Sequence, residues 1–407
     1  MSGQYKENVL YLHRTQGGGA EEVHILGIAR ALEEAGVRVD ILSPHGLVRP
    51  AAVQAPSAEK AAPKPGKLLP LISRHAPELV FELLEIAYNL LACWRLLRIG
   101  VSSYQWVFER YAVFGIVGSL LAKFARLPLI VEVNYTSKSP LVRRRSKLLM
   151  PLARRMDRWI FNSATLLVPV SSALKKELMH DFGIPEEKIL MLPNAADPVQ
   201  FAPTALRHKS VARKIIGFVG GFYPWHGLDL LIEAYAGIAD RFPESQVLLV
   251  GDGPELERIR ALVSRHGLME RVIFGGRKKH HELPAAMSAF YVGVMPDSND
   301  YGSPMKIFEY MALGVPVIAP DYSPILDAMD DGEQGLIFEQ RSVEGLRAAL
   351  VKLLQDESLA QHLGTQGRET ILRDRNWNAN AARIRDALLQ RCNEALPAMR
   401  KEESSHA

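Results

Sequence analysis

The sequence is poor in cysteine and has no long hydrophobic run. Its 407 residues include two cysteines, Cys93 and Cys392, which are too few for a disulfide framework or a cysteine-rich metal site. The longest stretch without a charged residue, residues 159–174, is too short and too polar to span a bilayer. Before Arg14 the only apolar run is Val9–Leu12, which predicts no signal peptide. These absences predict a cytoplasmic protein without a transmembrane helix.

A strong net charge is also lacking, but the small positive excess is concentrated in one tract. The formal charge is +4, whereas residues 138–158 alone contain eight basic residues and one acidic residue, Asp157. Such a tract favours docking on a polyanionic surface, and we expect no nucleic-acid binding. We expect peripheral attachment to the inner face of the cell membrane; a solvated basic helix and a patch for an acidic partner are the alternatives. The basic residues are Lys138, Arg143, Arg144, Arg145, Lys147, Arg154, Arg155 and Arg158.

What the sequence does contain is a repeated alternation of strand and helix patterns. The apolar run Val9–Leu12 is followed by a glycine turn, by a helix that Gly36 ends, and by alternating apolar residues at 37–41. Repetition of this unit builds parallel sheets covered by helices. Further strands are predicted at Val107–Phe108, Leu129–Val133, Leu167–Val170, Ile189–Leu192, Ile215–Val219, Val247–Val250, Val272–Phe274, Tyr291–Met295 and Val315–Ile318.

The pattern restarts after Asn194, and 48% hydrophobic residues suffice for two cores, so we predict two doubly wound α/β domains of Rossmann-like type. A ligand site between two such domains is the default expectation. The predicted divisions are an N-terminal domain at 1–200, a C-terminal domain at 201–376, a helix at 377–395 that packs back on the first domain, and a polar tail at 396–407. Residues 77–100 carry leucines at helical spacing and predict an amphipathic helix packed on the first domain.

Two segments have the features of phosphate sites. The glycine run Gly17–Gly19 follows a strand and opens a helix, although an unliganded tight turn explains it equally well. In the second segment, Ser303 is predicted to cap a helix whose first residue is Pro304, which places Lys306 in the first turn. A cation there opposes the helix dipole unless an anion is bound, so we favour a phosphate site over a surface pair of Lys306 with Glu309.

Several blocks of the sequence resemble the retaining glycosyltransferases of family 4, which have the GT-B architecture of two facing Rossmann-like domains. The order and spacing of these blocks along nearly the whole chain carry the resemblance. The blocks are residues 18–21, 170–172 with 193–194, 220–227, 251–254 and 303–316, together with Trp377.

The resemblance implies transfer of a sugar from a nucleoside-diphosphate sugar, held mainly by the second domain, to a lipid-linked or glycan acceptor held by the first. It implies retention by front-face attack, with no metal or other cofactor, in bacterial surface polysaccharide or glycolipid synthesis. Glu309 matches the residue that binds the donor ribose. The expected catalytic residues are His226, Asn134 and Lys306. The expected donor-binding residues are Gly18, Gly19, Gly221, Arg277, Tyr301, Gly302, Ser303, Pro304, Met305 and Glu309.

Some positions depart from the family pattern. Gly221 and His226 stand where the family has a basic pair, and Tyr301 stands where it has an acidic residue. We hypothesise that His226 becomes protonated when the donor diphosphate binds, with a helix-capping histidine as the alternative. Other functions also fit the scaffold: a nucleotide-sugar epimerase, a sugar phosphorylase, or a catalytically silent sugar-nucleotide-binding protein. The adjacent His280 and His281 are expected to be solvated in a polar turn rather than to bind a metal.

Overall fold

The computed structural model describes residues 7–15, 19–50, 78–139, 147–203 and 213–405. The chain forms two compact units. Unit 1 comprises Met1–Val170, Leu174–Leu192 and Ala381–Ala407, and unit 2 comprises Ser171–Ala173 and Pro193–Asn380. Among the described residues, no helix combines the length and the hydrophobicity that crossing a membrane requires.

Unit 1 is built on a six-stranded sheet with the strand order β3-β2-β1-β4-β5-β6. All neighbouring strands are parallel except β3, which pairs antiparallel with β2. The strands are β1 (Glu7–Leu12), β2 (Val37–Ser43), β3 (Gly46–Val48), β4 (Trp106–Arg110), β5 (Leu129–Val133) and β6 (Leu166–Pro169). The helices are α1 (Ala20–Glu34), α2 (Glu78–Ile99), α3 (Val117–Phe124), α4 (Met150–Ser163) and α5 (Ser172–Phe182), of which the first residues of α5 belong to unit 2.

Unit 2 repeats the same design with an all-parallel sheet in the order β12-β11-β10-β7-β8-β9. Its strands are β7 (Lys214–Val219), β8 (Ser245–Val250), β9 (Val272–Gly276), β10 (Val292–Val294), β11 (Val317–Pro320) and β12 (Gly335–Phe338). Its helices are α6 (Leu228–Ala236), α7 (Leu256–Arg265), α8 (Leu283–Met287), α9 (Met305–Ala312), α10 (Ser323–Leu326), α11 (Val343–Gln355) and α12 (Glu357–Arg373), and α13 (Trp377–Ser405) ends the chain.

Both sheets therefore have the strand order of a Rossmann-like doubly wound fold, which confirms the predicted fold of each half. The order reverses between β1 and β4 in unit 1 and between β7 and β10 in unit 2, and ligands of such sheets bind beside the carboxyl ends of these strands. Buried aliphatic runs explain the strands, since every residue of β5 and β6 is buried between covering layers.

The structure differs from the sequence-based description at several points. Ile189–Leu192 is no strand; Ile189 forms only an isolated bridge with Leu167. The division between the units falls at Leu192 and Pro193, whereas the sequence placed it after residue 200. The last helix enters unit 1 at Ala381 and continues to Ser405, so residues 396–405 extend that helix rather than forming a tail.

The junction of β7 and β10 depends on two glycines that lie opposite each other in the sheet. Gly217 pairs with Gly293, and a side chain on either would overlap an aromatic ring, that of Phe290 or of Tyr310 respectively. Tyr310 also accepts a hydrogen bond of 2.9 Å from the backbone N–H of Val219 at the end of β7. The packing of the Phe290 and Tyr310 rings thus fixes the end of β7, where the next loop starts.

We predict that Gly217→Ala lowers the free energy of unfolding by about 1–3 kcal/mol, because the methyl group forces the buried Phe290 ring to move. Gly275→Ala in β9 is the matched control, since its methyl group would meet the side-chain ends of Leu248 and Val250 at 3.3 and 3.4 Å and the Leu249 carbonyl oxygen at 3.5 Å, without overlapping any of them. Chemical denaturation of both variants measures the difference. Equal stability of the two variants would contradict the packing argument.

Candidate functional site

The loop after β7 lies where the strand order of the unit 2 sheet reverses, which is the switch point of the sheet. Its backbone conformation requires glycine at some positions. Gly220 has φ 150° and Gly251 has φ 149°, a region that side chains with a Cβ disfavour. A Cβ on Gly220 would lie 2.9 Å from Nζ of Lys306, and one on Gly251 would overlap the carbonyl oxygen of Gly220. The glycines therefore leave room for Lys306 to approach the backbone at the end of β7.

Lys306 lies in the first turn of α9, and its ammonium group is buried without a hydrogen-bond partner among the described residues. Nζ is 4.4 Å from the centroid of the Phe218 ring, so a cation–π contact provides part of its environment. Burial lowers the pKa of Lys306 to about 7, and the Glu309 carboxylate opposes this shift. The position can therefore accept an anion, which would supply the missing counter-charge.

His226 lies at the end of a short 3-10 helix, Pro224–His226, and its ring centroid is 5.6 Å from that of Phe218. Its Nδ1 is hydrogen-bonded to the carbonyl oxygen of Gly221, so Nδ1 carries the proton and donates. Burial, together with the positive charge of Lys306, lowers the pKa of His226 to about 3, while the Gly221 carbonyl opposes this shift. The helix-capping alternative is wrong, because Gly227 is the N-cap of α6.

Glu309 is held by a chain of hydrogen bonds that the sequence did not indicate. His280 Nε2 lies 3.0 Å from Glu309 Oε1, and His280 Nδ1 lies 3.0 Å from Nε2 of Gln200. Because Nε2 of Gln200 can only donate, Nδ1 of His280 accepts and Nε2 of His280 donates to the carboxylate. The expectation that His280 is a solvated turn residue is therefore wrong. No cluster of three or more metal-ligating side chains occurs in the described part of the chain.

The segment before α9 is fixed by side chains, although not in the predicted way. Ser303 was predicted to be the N-cap, but Pro304 takes that position and the helix begins at Met305. The Ser303 hydroxyl instead accepts a hydrogen bond of 3.0 Å from the backbone N–H of Asn194, whose side-chain amide donates to the Ser303 carbonyl at 2.6 Å. Lys306 nevertheless remains in the first turn.

The two residues before Ser303 are held through their backbone. The carbonyl oxygen of Tyr301 accepts from the hydroxyl of Ser171 at 2.6 Å. The N–H groups of Tyr301 and Gly302 both donate to Oδ1 of Asn299, at 3.2 and 2.6 Å. Tyr301, which stands where the family pattern has an acidic residue, is therefore held through its backbone N–H and carbonyl groups.

The structure brings together Gly221, His226, Lys306 and Glu309, but not every residue that the sequence suggested. Arg277 is exposed directly after β9. Gly19 is exposed in unit 1 with φ 72° and is the N-cap of α1. Gly18 and the basic residues Arg143, Arg144 and Arg145 lie outside the described residues, whereas Lys147 is described and exposed just before α4.

Asn134 lies in unit 1, directly after β5, and its side-chain Nδ2 is buried without a hydrogen-bond partner among the described residues. Two residues earlier, the buried Glu132 contacts Nε2 of His24 and receives a hydrogen bond of 2.7 Å from Arg110. Burial alone would raise the pKa of Glu132, but His24 and Arg110 outweigh it and lower the pKa to about 2. This ion pair fixes the strand end that presents Asn134.

The switch point of unit 1 also contains titratable groups that sequence reasoning missed. Burial raises the pKa of Glu109 at the end of β4 to about 8, although the N–H of Gly118 and the charge of Arg14 oppose the shift. Burial and the charges of Arg110 and His45 lower the pKa of His13 to about 4. Both residues line a cavity beside α2. Nothing in the sequence pattern indicated their burial.

Models of known protein families match both halves of the chain. The model of the family described as Glycosyltransferase Family 4 matches residues 17–200, and that of Glycosyl transferases group 1 matches residues 206–370. The chain belongs to glycosyltransferase family 4. This confirms the resemblance deduced from the sequence blocks.

Two similar proteins have known names, and they match this chain to different extents. A GDP-mannose-dependent α-(1-6)-phosphatidylinositol monomannoside mannosyltransferase of Mycobacterium tuberculosis is 29% identical over 254 residues, and the match covers 59% of this chain and 66% of that protein, less than two thirds of its length. A D-inositol 3-phosphate glycosyltransferase of Corynebacterium jeikeium is 26% identical over 377 residues, covering 86% and 87% of the two chains.

Solved structures support the GT-B architecture. The sucrose-phosphate synthase of Thermosynechococcus elongatus is similar with a TM-score of 0.72 and 21% identity, over 95% of this chain and 99% of that one. HepE of Anabaena, solved in complex with UDP and glucose, gives a TM-score of 0.66 and 18% identity over 94% and 100% of the chains. These identities establish the fold alone.

We predict that Lys306→Met stabilises the unliganded protein in a pH-dependent way. Because the folded pKa is lowered to about 7, the unfolded chain binds a proton between about pH 7 and about pH 10 that the folded chain does not, so the cost of burying the charge is full below this window, declines across it and is absent above it. The gain from Lys306→Met should exceed about 1 kcal/mol, the value of one pKa unit, at the acidic end and vanish at the alkaline end.

Thermal melting across this pH window measures the gain as the difference between variant and wild type. Lys352→Met, at an exposed position in α11 of the same unit, is the matched control and should give no pH-dependent difference. A gain for Lys306→Met that is the same at every pH would contradict the burial of a titrating ammonium.

Proposed function

We propose that the protein is a retaining glycosyltransferase that moves a sugar from a nucleoside-diphosphate sugar to a lipid-linked or glycan acceptor without a metal ion. One observation carries this proposal: among the described residues the buried ammonium of Lys306 has no hydrogen-bond partner, and it lies at the start of α9, where the helix dipole favours an anion. A diphosphate would satisfy both. The complex of HepE with UDP and glucose supports the same class of ligand.

Donor binding is proposed to change the protonation of His226 and Lys306. Since Nδ1 of His226 already donates to Gly221, its Nε2 can donate to a phosphate only after taking up a second proton. Burial and the charge of Lys306 lower the pKa of His226, and the negative charge of the diphosphate would raise it again. Both cations then stabilise the charge that develops on the leaving phosphate.

The reaction is proposed to proceed by front-face attack. The bond between the anomeric carbon and the donor phosphate oxygen breaks as the acceptor hydroxyl oxygen bonds to the same face of that carbon. The hydroxyl proton passes to a phosphate oxygen, so no protein nucleophile is needed. Asn134 is proposed to contact the transferred sugar through its buried amide, and Glu309 to accept hydrogen bonds from the donor ribose in place of the one that His280 supplies.

A lipid-linked acceptor agrees with the inositol-lipid mannosyltransferase among the relatives and with the basic tract. On α4 the basic residues Arg154, Arg155 and Arg158 are exposed, whereas the one acid of the helix, Asp157, is buried and bonded to the hydroxyl of Tyr111 at 2.5 Å. The surface charge of this helix is therefore entirely positive. Attraction of roughly 1 kcal/mol for each such residue near an anionic surface supports reversible attachment at the membrane.

We predict that Lys306→Ala and Glu309→Ala each weaken nucleoside-diphosphate binding by roughly ten- to a hundredfold, since hydrogen bonds to charged groups contribute about 1.5–3 kcal/mol. Lys352→Ala and Glu344→Ala, at exposed positions of α11, are the matched controls and should bind as the wild type does. Calorimetric titration with UDP, GDP and ADP measures the affinities. Unchanged affinity in both site variants would remove the basis of the proposal.

Incubation with a panel of UDP-, GDP- and ADP-sugars separates the proposed activity from its alternatives. Release of nucleotide with formation of a glycosylated acceptor supports the transferase, and the anomeric configuration of the product tests retention. Activity that survives EDTA supports metal independence. An isomerised donor would instead indicate an epimerase, a sugar 1-phosphate formed with inorganic phosphate would indicate a phosphorylase, and binding without turnover would indicate a silent nucleotide-sugar-binding protein.

We predict that turnover declines on the alkaline side and that His226→Ala loses this limb together with much of the rate, because Nε2 donates to the phosphate only as the imidazolium. His226→Lys keeps a cation at the position and should flatten the profile while retaining activity. Rate measurements across pH with saturating donor test both variants. An alanine variant with normal turnover and an unchanged profile would show that His226 has only a structural role.

A further inference from the structure

Helix α2 is a 22-residue helix in which Glu82 and Asn89 are buried, whereas the charged residues at its two ends, Glu78 and Arg98, are exposed. The amide of Asn89 donates to the carbonyl of Phe114 at 2.8 Å and accepts from the N–H of Ile116 at 3.0 Å. Glu85 pairs with Arg14 at 2.7 Å. These bonds tie the helix to the loops after β4 and β1.

A third attachment lies near the other end of α2. Nη1 of Arg95 donates to the carbonyls of Ser43 and Pro44, each at 3.0 Å. Three polar side chains, spread along the helix and bonded to three separate loops, therefore determine its rotation about its own axis. The amphipathic helix predicted at residues 77–100 is present as α2 in unit 1, and these polar bonds decide which side of it faces the unit.

The opposite side of α2 is consequently apolar and exposed. We call it the apolar face of α2; it consists of Val80, Leu83, Leu84, Leu90, Leu91 and Trp94, and Leu97 extends it. Leu90 is 76% exposed and Leu97 is 85% exposed, and no charged side chain interrupts this face from Val80 to Leu97. Exposed apolar patches of this extent mark interaction surfaces.

The charges around the apolar face favour an anionic partner. At the end of α2, the guanidinium of Arg98 lies 3.8 Å from the centroid of the Trp94 ring. Helix α3 contacts both α2 and α4 and adds Lys123 beside Phe124, which is 74% exposed. Beyond it lie the exposed arginines of α4 described above. The exposed surface of α2, α3 and α4 thus combines the apolar face of α2 with neighbouring basic residues. We call these residues, Arg98, Lys123, Arg154, Arg155 and Arg158, the basic margin.

This combination distinguishes between the possible occupants of the apolar face. A symmetric contact with a second copy would bring the basic margins of two identical surfaces together, and like charges would repel. An anionic bilayer instead accepts the apolar side chains at the boundary of headgroups and acyl chains and binds the cations at the headgroups. Tryptophan next to arginine is typical of side chains placed at that boundary.

We propose that the apolar face of α2 inserts into the headgroup–acyl boundary of an anionic membrane, with the basic residues of α3 and α4 on the lipid headgroups. At about 1.5 Å per residue the helix is roughly 33 Å long and would lie in the plane of the membrane. The inference deepens the proposed function, since a lipid-linked acceptor would lie in that plane, and it rests on that function for its biological purpose. Its test does not depend on catalysis.

The experiment uses the full chain and vesicles of phosphatidylcholine with or without phosphatidylglycerol. We expect cosedimentation with the anionic vesicles only, and about tenfold weaker binding or more for Leu83→Glu and Leu90→Glu, because each places a charge in the apolar boundary. The matched control is Leu372→Glu in α12, where the leucine is 54% exposed, as against 51% for Leu83. It should bind as the wild type does.

Salt separates the two parts of the surface. Arg154→Glu with Arg158→Glu should remove most of the salt-sensitive binding, whereas the leucine variants should remove binding that persists at high salt. In the wild type, tryptophan emission should shift to the blue with anionic vesicles, and Trp94→Phe should abolish the shift. This last measurement needs no destabilising variant and reports directly on the apolar face.

Several results would overturn the inference. They are binding of Leu83→Glu and Leu90→Glu equal to that of the control, no emission shift assigned to Trp94, or a wild-type dimer that Leu90→Glu separates without any binding to vesicles. Nucleoside-diphosphate binding is measured in parallel by thermal shift on the same samples. Nucleotide binding without vesicle binding refutes only the membrane surface, whereas vesicle binding without nucleotide binding refutes only the proposed function.

Discussion

The candidate site depends on the ammonium of Lys306, which is buried without a hydrogen-bond partner among the described residues. It lies against Phe218 in space that a side chain at Gly220 would restrict, and its position in the first turn of α9 adds an unfavourable helix dipole. Burial and dipole both disfavour the charged form, and Glu309 offsets them only in part. A bound anion would offset both the burial of the ammonium and its unfavourable position at the start of the helix. Burial, and after it the charge of Lys306, also lowers the pKa of His226.

Much of the fold could be predicted because parallel strands are buried on both faces and appear as apolar runs. This held for β5 and β7. The equally apolar Ile189–Leu192 lies beside β6, because the N–H groups of Leu190 and Leu192 donate to the carbonyls of Leu167 and Pro169, but its pairing amounts to an isolated bridge and not to a strand. An apolar run reports burial, whereas a strand also requires a continuous ladder of backbone hydrogen bonds. The strand β12 was not predicted.

The candidate site was predictable where it follows from local helix chemistry. The start of α9 was placed within one residue, and Lys306 and Glu309 followed from it, although Asn194 rather than the helix uses the Ser303 hydroxyl. What could not be predicted are contacts between distant segments. His280 reaches Glu309 across 29 positions of the sequence, and the burial of Glu109 is created by tertiary packing. Neither leaves a local signal.

The two features that violate ordinary folding rules are also the two that a partner would complete. A cation at a helix start and a helix with exposed leucines are both unfavourable in the isolated chain, and each is fixed by specific contacts: Phe218 against Lys306, and Asn89 and Arg95 along α2. Chains conflict with local preference mainly where function requires it. The two partners proposed above, a phosphate anion and an anionic lipid surface, would each remove one of these conflicts, which is why the two proposals can be tested independently on the same molecule.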